Sequence, residues 1–268
     1  MDVRKTYKLF VNGEFVRSES GRAYRPDGKV NVPRGSRKDM RDAVRAARTA
    51  FPGWAARTAM NRGQILYRAA EMLDGRAAQF IELLGGGVRA RRELDQAVET
   101  LVWYAGWTDK LSQVTGTVNP VAGPYFNFTI PEPTGVVAII GPEEAPLRGL
   151  VRRVAPALCG GNVVVALASE THPLAALTLA EVLATSDVPA GVVNIVSGQR
   201  KELLPWLAGH MDINAIDAAG CTAEEVKAIE EAAAANVKRV IKLTQDEQSP
   251  YLIAAFMEMK TIWHPIGV

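Results

Sequence analysis

Cysteine is scarce in this sequence: Cys159 and Cys221 are the two among 268 residues. Two cannot build a disulfide framework or a four-ligand zinc site. Net charge is nearly lacking as well. Lys and Arg number 31 against 29 Asp and Glu, which leaves +2 and no footprint for nucleic acid or an anionic membrane. No run of 18 apolar residues occurs, which excludes a transmembrane helix. The first 15 residues hold no apolar core of a secretory leader, so a reduced, cytoplasmic protein is expected. G-x-G-x-x-G, the P-loop, G-x-S-x-G and H-E-x-x-H are all missing. The three histidines, His172, His210 and His264, lie far apart and read as surface or packing residues, so no metal site is expected. A hydrophobic content of 48% excludes disorder throughout the chain, because that much apolar surface supports a sizeable core.

At about 150 residues per domain, the length suits one large domain or two modest ones. Leu9–Val11, Asn12-Gly13 and Phe15-Val16 predict a hairpin with a type I′ turn. Ser36 and Asp39 form a capping-box pattern, followed by Met40, Ala43, Val44, Ala47 and Phe51 at helical spacing. A second helix is predicted over 59–83, broken near Gly75, and a third over 91–113. Trp103, Tyr104 and Trp107 on the third read as packing residues rather than a cofactor cage. Four prolines among residues 117–133 predict an exposed ribbon carrying Tyr125, Phe126 and Phe128, since proline is tolerated at strand edges. Such an edge offers a pairing surface to another chain. After Pro133, apolar runs at 136–140, 163–167, 192–196, 213–216 and 240–243 alternate with helical stretches at 146–158, 173–186, 200–209 and 223–235. That alternation predicts βαβ units and a doubly wound parallel α/β sheet, with its ligand crevice at the carboxyl ends of the strands.

Few residues carry chemistry. Cys221 lies at a helix start, where the helix dipole lowers a thiol pKa; the competing reading is a small residue in a tight strand-to-helix turn. Cys159 reads as a buried packing thiol. Glu143-Glu144 follows the first strand of the alternating half. Paired carboxylates there suit acid–base work and oppose dinucleotide phosphates, and the competing reading is a solvated turn.

Several ordered segments resemble the aldehyde dehydrogenase superfamily. They are Phe10-Val11-Asn12-Gly13-Glu14-Phe15, Glu132-Pro133-Thr134-Gly135-Val136-Val137, Ala155-Pro156-Ala157-Leu158, Gly161-Asn162-Val163-Val164-Val165, Ser169-Glu170-Thr171-His172-Pro173, Pro189 to Gly198, and Val237-Lys238-Arg239-Val240. The resemblance implies a Rossmann-like cofactor domain that binds NAD or NADP without the usual glycine fingerprint. It also implies a cysteine nucleophile, an asparagine oxyanion donor and a glutamate base. The asparagine belongs to P-W-N-F-P, which here reads Pro142-Glu143-Glu144-Ala145-Pro146; Glu144 cannot donate to an oxyanion. The lysine of K-P-S-E is Leu167. The F-T-G-S-T segment has become Ala218-Ala219-Gly220-Cys221-Thr222, with Asp217 before it. The base falls on Leu243 or Thr244.

The resemblance implies four segments: 1–116, the hairpin and helices of the cofactor-type domain; 117–133, a ribbon arm; 134–250, the Rossmann-like unit; and 251–268, whose Phe256 to Trp263 resembles the family's C-terminal oligomerisation strand. The expectation is that the catalytic domain was excised internally while both oligomerisation elements were kept. No catalytic residue is assigned. Ser169, Glu170, Gly198 and Gly220 are the residues expected at a degenerate NAD(P) site with weak or lost binding. The expected partner is a full-length aldehyde dehydrogenase subunit, or a second copy in a homodimer. Function is expected to be that of an inactive structural or regulatory subunit. A nucleotide sensor, or an enzyme with altered chemistry using Cys221 or the Glu143/Glu144 pair, are the alternatives.

Overall fold

β-branched runs make the centre of this molecule. The computed structural model describes residues 5–244 and 247–267. Strands β7 (Val136–Ile140) and β8 (Val163–Leu167) are buried at every residue, as a sheet covered on both faces requires. They lie in a seven-stranded sheet with β1 (Leu9–Val11), β2 (Glu14–Val16), β9 (Val193–Val196), β10 (Ala215–Asp217) and β11 (Arg239–Ile241), in the order β11-β10-β7-β8-β9-β1-β2. Strands β7 to β11 are parallel, and β1 pairs antiparallel with β9 through Phe10 and Ile195. The chain therefore starts at β7, builds β8 and β9 to one side, and returns to place β10 on the other. The crevice between the loops after β7 and β10 is the point where strand order reverses, where ligands bind in open α/β sheets.

The hairpin turn has positive φ at both Asn12 and Gly13, as type I′ geometry demands. A small second pair, β3 (Ala23–Tyr24) and β4 (Val32–Pro33), leads into α1 (Arg37–Ala55). Ser36 and Asp39 cap α1 reciprocally, and Asp39 also accepts from the Ser18 hydroxyl at 2.8 Å. Helices α1, α8 (Arg200–Gly209) and α9 (Ala223–Ala233) lie on one side of the sheet. Helices α6 (Pro146–Cys159) and α7 (Pro173–Ala184) cover the other, backed by α2 (Ala59–Asp74), α3 (Ala77–Leu83) and α4 (Gly87–Trp107). The break predicted near Gly75 separates α2 from α3. The predicted third helix starts earlier, at Gly87, and stops at Trp107, where the Thr108 hydroxyl and Lys110 Nζ take the carbonyls of Ala105 and Gly106. Helix α5 (Leu111–Thr115) follows. Tyr104 is fully buried and packs edge-on against Trp103, so these aromatics are core.

The proline-rich segment departs from its predicted place at a sheet edge. Strand β6 (Tyr125–Pro133) is the middle strand of a three-stranded antiparallel sheet, between β5 (Thr117–Asn119) and β12 (Met257–Pro265). Its prolines are tolerated because β5 pairs only with residues 127–129, so Pro131 and Pro133 have β12 as their single neighbour. The two predicted oligomerisation elements thus pair with each other, over nine residues from Met257↔Pro133 to Pro265↔Tyr125. Helix α10 (Pro250–Ala255) precedes β12, and Phe256 and Met257 anchor it in the core. Tyr125, Phe126, Ile262 and Trp263 remain exposed, with Tyr125 and Trp263 in edge-to-face contact at 5.8 Å.

Candidate functional site

Helices α6 to α9 each begin at the carboxyl edge of the parallel strands, so their N-termini point unsatisfied N–H groups at the crevice. The chain's own carboxylates meet all four of these starts. At α6, the N–H groups of Leu147 and Arg148 donate to Glu93 Oε1 of α4, at 2.9 and 3.3 Å. At the turn into α7, Glu143 accepts from the Ser169 hydroxyl at 2.6 Å, the Thr171 hydroxyl at 2.5 Å, and the N–H groups of Glu170 and Thr171 at 3.0 Å. At α8, the N–H of Arg200 donates to Glu170 Oε2 at 2.8 Å. At α9, Thr222 and Glu225 form a capping box.

Arg200 then bridges the crevice. Its guanidinium donates to the Gly220 carbonyl at 2.8 Å and lies 3.4 Å from Glu143 Oε1 and 3.5 Å from Glu225 Oε1. Burial pushes the Glu143 pKa up, but its hydrogen bonds outweigh that and hold it down at about 2. The solvated-turn reading of the acidic pair therefore holds for exposed Glu144 and not for Glu143. Cys221 lies 3.7 Å from Arg200, yet burial outweighs the cation and pushes its thiol up to about 11. The expected helix-start activation is thus reversed by desolvation. Cys159 is buried, its thiol pushed up to about 12.

Three of the four expected cofactor residues meet here. Ser169 and Glu170 are engaged as above, and Gly220 presents its carbonyl to Arg200. Gly198 lies apart: a Cβ there would come within 2.6 Å of Leu203 and 3.3 Å of Gly35, so its glycine serves backbone packing. Asp217 is buried beneath the crevice, 3.5 Å from Arg153. Burial raises its pKa beyond what Arg153 and the Ala219 N–H pull back. Leu167 is fully buried in β8.

Glu93, Arg200 and the arginines of α6 were not singled out by sequence reading. Arg148, Arg152 and Arg153 did leave a signal, since charges lie on a helix whose other residues are buried at nine positions. Glu93 and Arg200 left none, because their partners lie 20 to 57 residues away. Among the described residues no cluster of three or more metal-type side chains exists, and no helix is long and apolar enough to cross a membrane.

The aldehyde dehydrogenase family profile matches residues 24–260. The chain is 36% identical over 249 residues to aldehyde dehydrogenase, cytosolic 1, of Elephantulus edwardii, covering 87% of this chain and 49% of that protein. It is 36% identical over 267 residues to retinal dehydrogenase 2 of Mus musculus, covering 94% and 51%. Among solved structures, the NAD+ complex of aldehyde dehydrogenase from Bacillus cereus matches with a TM-score of 0.81 at 30% identity, over 88% of this chain and 50% of that one. The chain spans about half the length of the curated relatives it matches.

Proposed function

We propose a function from one premise: the chain belongs to the aldehyde dehydrogenase family. Within it, this protein is a non-catalytic subunit that assembles with a full-length aldehyde dehydrogenase. The observation that carries the reading is the three-stranded sheet, which the chain completes by itself and which presents Tyr125, Phe126, Ile262 and Trp263 to solvent. Exposed apolar groups on an open sheet edge are what a second subunit covers.

The crevice supports the loss of catalysis. Glu144 occupies the position of the family's oxyanion donor, and a carboxylate repels an oxyanion. The thiol of Cys221 is pushed away from nucleophilic use. A dinucleotide does not fit the residues present: the N–H groups and hydroxyls that would meet its phosphates and ribose are engaged with Glu93, Glu143 and Glu170, and Arg200 fills the gap between them. NAD(P) binding is accordingly weak or absent. A cytoplasmic location accords with the two unpaired thiols and with the cytosolic relatives.

Native mass spectrometry of the protein, alone and co-expressed with a full-length aldehyde dehydrogenase, tests the assembly. Mixed oligomers, lost on Trp263→Lys, are expected; a homodimer lost on the same substitution is the second form. A monomer in both samples sinks the reading.

A further inference from the structure

Glu143 is held as a ligand is held. Its Oε2 accepts from the Ser169 hydroxyl at 2.6 Å, the Thr171 hydroxyl at 2.5 Å and the Thr171 N–H at 3.0 Å. Its Oε1 accepts from the Glu170 N–H at 3.0 Å and from Arg200 Nη1 at 3.4 Å. A helix cap needs only one side-chain oxygen on an N–H or two. The donors come from the loop after β8 and from α8, 26 to 57 residues away in the chain. Glu143 is not alone in shaping this cradle. The Ser169 hydroxyl oxygen also accepts from the His172 N–H at 2.8 Å, and the Arg200 guanidinium is also fixed by the Gly220 carbonyl and by Glu225.

The carboxylate arrives on a loop. Glu93 and Glu225, which meet the starts of α6 and α9, belong to helices, whereas Glu143 lies between β7 and α6 in a segment that ends at Ala145. That alanine has φ +46°, the left-handed region that non-glycine residues occupy at a cost. Glu143 and Thr171 also line a cavity of about 560 Å³, in the middle of the range of small-molecule sites. Leu83, Leu84 and Leu174 give it apolar walls. Asp27, Glu93 and Glu144 line it too, against Arg89 and His172, a balance that disfavours anions of more than one charge.

We propose that Glu143 is an internal stand-in for a carboxylate ligand: the cradle of Ser169, Glu170 N–H, Thr171 and Arg200, entered from the adjoining cavity, takes the carboxylate of a small monocarboxylic acid with an apolar body when the 141–145 loop withdraws Glu143. The chain thereby holds its own site closed. The inference goes beyond the subunit reading, because it assigns the crevice a ligand and needs no partner chain. Binding exchanges one carboxylate for another in the same hydrogen bonds. What drives it is apolar contact with the three leucines and relief of the backbone at Ala145. Against it stands the high effective concentration of a tethered competitor, so removing the Glu143 carboxylate unmasks the site.

The test titrates the full chain with butyrate and, separately, with inorganic phosphate, by calorimetry at neutral pH and constant ionic strength. Butyrate is expected to bind Glu143→Ala saturably, about tenfold or more tighter than the wild type, which keeps its own carboxylate in place. Glu143→Gln matches the native side chain in size and serves if the alanine variant does not fold. Its amide NH2 meets donors where an acceptor is needed, so it too binds butyrate more tightly than wild type. Adding Thr171→Val to either variant weakens butyrate about tenfold, the worth of one charge-assisted contact. Equal affinity in wild type and both variants, or no saturable heat in either variant, overturns the proposal. Phosphate bound more tightly than butyrate overturns the carboxylate assignment. Mixed oligomers form or fail independently of these titrations, so the subunit reading and this one fall separately.

Discussion

Glu143 and Lys238 are the residues whose charge states most clearly tie this structure to pH. Glu143 is held at about 2, below its ordinary 4.5. A carboxyl depressed by folding contributes its full stabilisation above pH 4.5 and loses it as the pH falls from 4.5 to about 2. Glu143→Gln should therefore flatten the acid limb of the melting temperature against pH, while leaving the wild-type limb steeper over that window. Parallel curves would mean that the hydrogen bonds from Ser169, Glu170 and Thr171 carry no stability. Lys238 is the opposite case. It is buried, its Nζ donates to the His210 carbonyl at 2.8 Å, and burial pulls its pKa from 10.5 to about 8. Below pH 8 both folded and unfolded chains hold the proton, and folding bears the whole penalty of burying it. Between 8 and 10.5 the unfolded chain holds a proton the folded one has released, so stability rises with pH. Urea midpoints of Lys238→Met should lack that rise; a rise equal to wild type would assign it to other groups. Neither role was legible in the sequence. An acidic pair after a strand reads as a turn until Ser169, Thr171 and Arg200 are known to surround it.

Elements were read more reliably than residues, because their causes are local. The Asn12-Gly13 turn, the Ser36 and Thr222 capping boxes and the β-branched runs each lie within a few residues of what they determine. Pairing is not local. The sequence marked both β6 and β12 as strands, but 124 residues separate Pro133 from Met257, and nothing in either segment names the other. The entrance to β7 shows how tightly such distant contacts are fitted. Gly135 has φ +132°, and a Cβ there would lie 2.3 Å from Asn214 Oδ1. That oxygen accepts from the Val136 N–H at 3.0 Å and from Arg48 at 2.7 Å. Gly135→Ala should lower the unfolding free energy by about 2–4 kcal/mol, through backbone strain and two displaced hydrogen bonds. Gly209→Ala meets nothing within 4 Å and should change stability by less than about 1 kcal/mol. Equal urea midpoints for the two variants would refute the account.

For the molecule as a whole, helix starts that are already capped remove any need for a ligand to complete the fold. Ligand binding to the native state raises stability by about 2.7 kcal/mol at a hundredfold excess over Kd. Millimolar NAD should therefore leave the melting temperature unchanged, whereas a shift of several degrees would restore the dinucleotide to this chain. The N-terminal hairpin has a different consequence, one of time. Phe10 pairs with Ile195, and the Asn12 N–H donates to Asn194 Oδ1 across 182 residues. On the ribosome, Leu9, Phe10 and Val11 emerge early and find no place until β9 has been made. At roughly 5–20 residues per second, that wait lasts about 10–40 s. For that interval three large apolar side chains have no native cover, and the nascent chain is a client for whatever chaperone reaches it first.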